Sequence, residues 1–403
     1  MTKTKQVVWM AWVIGSIFYA YQYILRVMPS IMMGDILTQF NINANTYGQF
    51  SGVYYIGYAL MHLPLGILIH KFGPKKILPM CILITVLGIT PIIFAEHWIY
   101  PIIGRALVGI GSSAAILGLF QIIRFTFKES QFTKMLSYSV IIGLIGAIYG
   151  GAPVNYMCSE MGYKNVVVFF SVVGIVLAFA AYYLIPNNTE ATKDSSITGD
   201  ILEVIRNSKV MFFCILAGLM VGANEGFADV WGTAYLQTVY NLDKTTASTL
   251  PSLIFLGMGF GAPTLSFITE KTKSHMLVII LSALIMMVCF LLFLSTQMSV
   301  YMLCPIFFII GVCCAYQIIA IYKSSTYVKP HVAGLTTSFA NMTIMIFGYF
   351  FHSIIGYTVN ALGGKDNPFA LKIGIVIIPI SLGIAALGYT SIAFLDKQKK
   401  LVS

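Results

Sequence analysis

Along this chain, apolar stretches of about 20 residues alternate with short polar breaks, and each is long enough to cross a hydrocarbon core of roughly 30 Å as an α-helix. Twelve are read: Val7 to Met28, Tyr47 to Ile69, Ile77 to Ala95, Trp98 to Ile123, Met135 to Met157 and Val166 to Ile185, then Val210 to Ala234, Ala247 to Ile268, Met276 to Leu294, Tyr301 to Tyr322, Val332 to Val359 and Leu371 to Leu395. The pattern predicts an all-α integral membrane protein of twelve transmembrane helices, because a helix satisfies its own backbone in lipid. The longest polar interruption, Pro186 to Ser208, separates six spans from six. It divides the chain into an N-terminal six-helix bundle over residues 1–185, a cytoplasmic central loop over 186–208 and a C-terminal six-helix bundle over 209–403. Within the loop, Ile197 to Arg206 has an amphipathic pattern that predicts a short helix on the membrane surface.

Composition agrees with the pattern. Of 403 residues, 58% are hydrophobic and 9% charged, with a mean hydropathy of +0.86, against roughly a quarter charged in soluble domains. The net charge of +10 sits in loops. With both termini inside, only Lys164, Lys244, Lys365 and Lys372 fall on the outer side, so retention of basic loops orients the N- and C-termini toward the cytoplasm of a plasma, bacterial inner, membrane. The basic balance then needs no nucleic-acid partner. The first span contains Gln22 and Arg26 and lacks a small-residue cleavage site, so it reads as a retained helix and not as a signal peptide. The seven cysteines lie almost wholly inside spans without metal-ligand spacing. No GxxxxGK[ST], HExxH or GxSxG stretch is present, so neither an ATP-driven pump nor an enzyme is indicated, and no metal or cofactor is implied.

The halves echo each other. Pro64 to His70 aligns with Pro263 to Thr269, and Gln121-Ile-Ile in span four reads as the partner of Gln317-Ile-Ile in span ten, both toward an inner gate. A six-plus-six repeat is the plan of one class of secondary transporter, with a substrate site near the midplane. Gly66-Ile-Leu-Ile-His70-Lys71-Phe-Gly73-Pro-Lys75-Lys76 is similar to a loop usually written GxLaDRxGxRR, Arg105-Ala-Leu-Val-Gly109-Ile-Gly111 to an RxxxGxG stretch, and Gly146-Ala-Ile-Tyr-Gly150-Gly151 to GPxxGG. With these motifs the chain resembles the major facilitator superfamily over essentially its whole length. More narrowly, FYAYQYILRVMPS followed by Tyr54-Tyr55 resembles bacterial members described as sugar-phosphate-permease-like or carrying no assigned substrate. The resemblance implies two halves related by pseudo-two-fold symmetry, alternating access, and a cavity lined by spans one, four, seven and ten. It also implies gating roles for Gly66, His70, Lys71, Gly73, Lys75 and Lys76. His70 departs from the motif's aspartate, and the lysines can also meet anionic head groups of membrane lipids.

Charges inside a span cost several kcal/mol and usually face a cavity or a partner. Four occur here: Arg26, Arg105, and Glu225 and Asp229 within Asn224-Glu-Gly-Phe-Ala-Asp229-Val-Trp231. At about 1.5 Å per residue, Arg26 and Asp229 fall near the outer ends of their helices, while Arg105 and Glu225 share a deeper level. Two acids four residues apart share a helix face and cannot both ionise easily, the requirement of a proton-coupling site. The expectation is that Glu225 takes the transported proton, that Asp229 gates against Arg26, and that Arg105 binds an anionic group of the substrate or Glu225 itself. Gln22, Tyr23, Asn224 and Asn341 join the arginines as substrate candidates, and His352 is a second protonation candidate. The plainer reading makes Arg26 and Asp229 interfacial side chains reaching water, and the buried amides glue between helices. The function expected is a monomeric secondary transporter taking up a small polar anion or zwitterion with protons. The alternatives are a proton-antiport exporter and a transport-inactive sensor on the same fold.

Overall fold

The computed structural model describes residues 5–128, 131–186, 197–329 and 332–402, and Lys3, Lys193 and residues 187–196 of the linker lie outside them. Every regular element among the described residues is helical. Among the described residues eleven helices are long and apolar enough to cross a membrane, and a bent pair makes a twelfth when taken as one span. The described chain forms two compact units, Met1–Lys193 and Asp194–Ser403.

The first unit holds span one (Gln6–Ile31), span two (Ala44–Phe72), span three (Pro74–Phe94), span four (Ile99–Thr126), the bent span five (Lys134–Tyr149 and Ala152–Met161) and span six (Tyr163–Leu184). Span five bends by 41° at Gly150-Gly151, where Pro153 has no N–H for the Tyr149 carbonyl. Its glycines face span one: Gly143 meets the Tyr19 ring, Gly146 the Ala20 backbone and Gly150 the side chain of Val27. Near the other end of that seam, the Trp12 indole donates to Ser139 Oγ at 2.8 Å.

The second unit holds span seven (Ser208–Tyr240), span eight (Lys244–Thr272), span nine (His275–Ser295), span ten (Val300–Ser325), span eleven (Ala333–Ala361) and span twelve (Pro368–Asp396). Here the small residues lie on span seven. Gly218 meets Phe347, and Gly222 meets Phe351, both rings of span eleven. The amphipathic segment of the linker is a helix, Ile197–Arg206. Its Val204 is buried in a cluster with Val210, Cys214, Val332 and Ala340.

The two units repeat the same local features. Asn41 ends a helix in the left-handed conformation at φ 48°, and Asn241, 200 residues later, does the same at φ 54°. The next helix is then capped by Asn43, which accepts from Thr46 N–H at 2.9 Å, and in the second unit by Asp243, which accepts from Thr246 N–H at 3.0 Å. Gly57 packs on the Ala106 carbonyl and Gly257 on that of Phe308, while Gly109 packs on the Tyr54 carbonyl and Gly311 on that of Ile254. These contacts correct two expectations. Pro64 pairs with Thr264 and not with Pro263, a shift of one residue. Between spans four and ten the offset is 202, so Gln121 corresponds to Lys323 and Gln317 to Ala115, and the two glutamines are not repeat partners.

Candidate functional site

In the first unit the site grows from a proline. Pro29 lies inside the helix of span one, so the carbonyl of Leu25, four residues earlier, loses its helical donor. Arg105 of span four supplies a replacement: Nη1 donates to Leu25 O at 2.7 Å and Nη2 to Arg26 O at 2.8 Å. Its guanidinium lies 4.9 Å from the centroid of the Tyr54 ring and 5.8 Å from that of Phe50. Tyr47 completes the repair by donating from its hydroxyl to Pro29 O at 2.6 Å. Arg105 is therefore tied to the backbone of span one, and the stretch beginning at Arg105 has a structural reason beyond any ligand.

Arg26 sits one residue from the repaired carbonyl. Its guanidinium is buried between two rings, 5.2 Å from the Tyr23 centroid and 5.3 Å from that of Tyr55, a desolvated cation–π arrangement. Gln22 accepts from the Tyr54 hydroxyl at 3.0 Å. Beyond Tyr54, span two continues the polar line with Tyr58 and His62, whose rings stack at 5.4 Å. His62 is buried. Sequence reading missed Tyr58 and His62, although the spacing of Tyr54, Tyr58 and His62 at i, i+4 and i+8 was there to find.

The gating candidates separate. Gln121 Nε2 reaches His70 Nδ1 at 3.4 Å, so the residue at the motif's acid position and the end of span four touch within this unit. Gly73 takes φ +81°, a conformation for which glycine is suited. At Gly66 there is room for a methyl group, whose nearest contact beyond its own helix turn would be Leu117 Cδ1 at 4.0 Å. Lys71 and Lys75 lie over Phe72 and Tyr182 respectively, and Lys76 is exposed.

In the second unit, span seven is not a continuous α-helix. It tightens at Val221–Ala223 and then widens into a π-helical segment, Asn224–Trp231, ending with Gly232 N–H bonded to Phe227 O. Asparagine, aspartate and glycine are weak helix formers that compete for or expose the backbone, so the α ladder yields here. Every side chain from Asn224 to Trp231 is buried. Residues four apart lie within one turn closed from i to i+5, so Glu225 and Asp229 remain neighbours along the helix. Asn224 Nδ2 donates to Glu225 Oε1 at 3.2 Å and lies 4.0 Å from Met258 Sδ of span eight. Asn224 Oδ1 is buried with no hydrogen-bond partner among the described residues. Phe227 holds the segment's other side against Phe290 of span nine and Phe307 of span ten, with ring centroids 5.5 Å apart in each case.

Where span seven leaves α geometry, Tyr316 of span ten donates to Ala217 O at 2.7 Å, much as Arg105 serves Leu25 in the first unit. Gln317 beside it is buried, and its amide nitrogen has no partner among the described residues. His352 is fully buried on span eleven, one residue from the Phe351 that packs on Gly222 and Gly226. Asn341 lies on the same helix eleven residues away, about 16 Å along its axis, so the two are not brought together. Among the described residues no group of acidic, histidine and cysteine side chains could hold a metal.

The family model described as Major Facilitator Superfamily matches residues 12–352. The chain is 21% identical over 257 residues to a probable L-galactonate transporter of Escherichia coli (strain K12), covering 60% of this chain and 56% of that one. It is 23% identical over 265 residues to the proton-coupled antiporter flippase LtaA of Staphylococcus haemolyticus (strain JCSC1435), covering 64% of each. The matches thus span a little over half to just under two thirds of these relatives. Among solved structures, the nucleoside transporter NupG aligns with a TM-score of 0.78 at 15% identity, covering 94% of this chain and 99% of that one, a likeness of fold.

Proposed function

The chain belongs to the Major Facilitator Superfamily, is a multi-pass membrane transporter and not an enzyme, and on that premise we propose that it couples uptake of a small polar anion to protons through Glu225. The carrying observation is the π-helical segment of span seven, which keeps two carboxylates buried one turn apart. π-Bulges occur frequently at functional sites, and acids within transmembrane helices commonly mark proton and substrate pathways. Asn224 deepens the reading, since its amide nitrogen engages Glu225 and leaves Oδ1 for a donor on the solute. Asp229 is the second acid of the segment, and His352 the reserve protonation candidate. Arg26, caged by Tyr23 and Tyr55 beside Gln22, is the group for the solute's anionic end, because guanidinium stays charged and grips carboxylate in two places. Arg105 positions Arg26 by holding its carbonyl. His70 and Gln121 form the inner gate of the first unit. Sugar acids head the solute classes, from the relative named for L-galactonate, followed by amino acids and dipeptides. The lysine distribution supports cytoplasmic termini in a bacterial inner membrane.

The name of the staphylococcal relative favours one rival, proton antiport. Purified protein reconstituted in liposomes with an internal pH dye separates the readings. Inward solute flux with lumen acidification supports symport, and inward flux with alkalinisation supports antiport. Glu225→Gln is expected to abolish the pH signal while retaining solute binding. Solute flux that is electrically and chemically indifferent to pH, unchanged in Glu225→Gln, would overturn the assignment of Glu225.

A further inference from the structure

A second built feature lies away from both clusters, at the end of the second unit where spans eight and nine meet. A cavity of about 550 Å³ is lined there by Lys209, Lys273, Lys323, His275, Tyr327 and Asp396. The local chain makes it basic by construction. Lys273 ends span eight in the left-handed conformation at φ 52°, and the next residue, Ser274, caps span nine by accepting from Leu277 N–H at 3.2 Å. His275 and Met276, the first residues of that 21-residue helix, both line the cavity, so the positive end of the helix dipole opens into it.

Tyr327 organises the lysines. Lys209 Nζ stands 4.1 Å from its ring centroid and Lys323 Nζ 4.6 Å. Its hydroxyl donates to Asp396 Oδ2 at 3.1 Å, and Asp396 also pairs with Lys209. Burial, and then the Asp396 carboxylate, push the Tyr327 phenol well above its ordinary range, so it stays a neutral donor. The cavity lining thus includes three lysines and the Asp396 carboxylate, and the exposed Lys273 makes no ion pair among the described residues.

We propose that this cavity binds a phosphate-bearing anion, held by Lys273 and Lys323 at the N-terminus of span nine. Lysines around a helix N-terminus suit the spread charge of phosphate better than a lone carboxylate, which one ammonium would satisfy. Two sources share the chemistry: the head group of an anionic phospholipid, or a soluble phosphate compound. Tyr322, exposed and 5.3 Å from the His275 ring, suits a membrane interface.

The test is thermal unfolding of purified protein with two probes at fixed ionic strength: inorganic phosphate in neutral detergent, and nanodiscs of phosphatidylglycerol against phosphatidylcholine. The proposal expects one of them to raise the unfolding midpoint of the wild type. It expects the apparent affinity for that probe to fall about 30-fold in Lys273→Gln/Lys323→Gln, but to stay unchanged in Lys244→Gln/Lys372→Gln, whose lysines lie outside the cavity. A response to inorganic phosphate identifies a soluble ligand, and a response to phosphatidylglycerol alone identifies a lipid. No response to either probe, or an equal response in the double variant, overturns the proposal. Should the double variant fail to fold, Lys273→Gln alone, an exposed substitution, is read the same way with a loss of about five-fold.

Discussion

At the scale of single residues, Arg105 and Pro29 explain each other. A buried carbonyl without a donor costs about 1–3 kcal/mol, and Leu25 O is spared that cost by Arg105 Nη1. Arg105→Met should therefore lower stability by an amount of that order. In a Pro29→Ala background residue 29 regains an N–H, Leu25 O regains its helical partner, and the same arginine substitution should cost less. The double-mutant cycle, read from unfolding midpoints in detergent, should return a coupling of about 1–2 kcal/mol. Strict additivity would mean that Arg105 does not serve the proline gap. The cycle also separates this role from solute binding, because it needs no solute.

At the scale of elements, glycine and capping positions make opposite predictions for similar sequence motifs. Gly109 and Gly66 both belong to recognisable stretches, yet a Cβ at Gly109 would strike the Tyr54 carbonyl, whereas at Gly66 it would meet nothing nearer than 4.0 Å. Gly109→Ala should cost about 1–3 kcal/mol through overpacking of spans two and four. Gly66→Ala should leave the midpoint nearly unchanged, so a transport defect in it would point to gating. The caps of spans two and eight offer an internal control for pH. Asp243 is held below its ordinary value first by the Thr246 backbone N–H and then by its hydroxyl. A depressed carboxylate stabilises the fold above its unfolded value and loses that contribution as pH falls through the folded one. Asp243→Asn keeps the cap without the titration, as Asn43 already does. The wild type should match this variant at pH 6 and unfold at a lower temperature than it below about pH 4; a pH-independent difference would refute the cap's contribution.

At the scale of the whole molecule, most of the architecture was legible because lipid leaves few choices: a run of apolar residues of sufficient length becomes a helix, and twelve runs became twelve spans. Span seven was legible as a site of chemistry, from its two acids, but not as a π-helix. Periodicity arguments assume 3.6 residues per turn, and a segment buried all round has no polar face to betray a different pitch. Tyr58 and His62 escaped because aromatic residues at helical spacing look like packing. The repeat was visible in Thr38-Gln-Phe-Asn-Ile-Asn43 against Thr238-Val-Tyr-Asn-Leu-Asp243, but aligning the prolines instead shifted the register by one. The linker helix Ile197–Arg206 was legible by its amphipathic pattern, and its packing shows what that pattern is for. The ion pair from Lys329 Nζ to Glu203 Oε1 at 3.7 Å is exposed on both sides and is worth about 0–1 kcal/mol. Val204 is fully enclosed among Val210, Cys214, Val332 and Ala340, and burying such a side chain is worth about 1.5–3 kcal/mol. Docking therefore rests on the valine. Val204→Asp should release the helix and expose residues 197–206 to limited proteolysis, with cleavage at least ten times faster than in the wild type. Glu203→Gln should cleave at the wild-type rate. If instead Glu203→Gln loosens the helix and Val204→Asp does not, the helix is held by charge, and the apolar cluster is incidental to how the linker is tethered to the second unit.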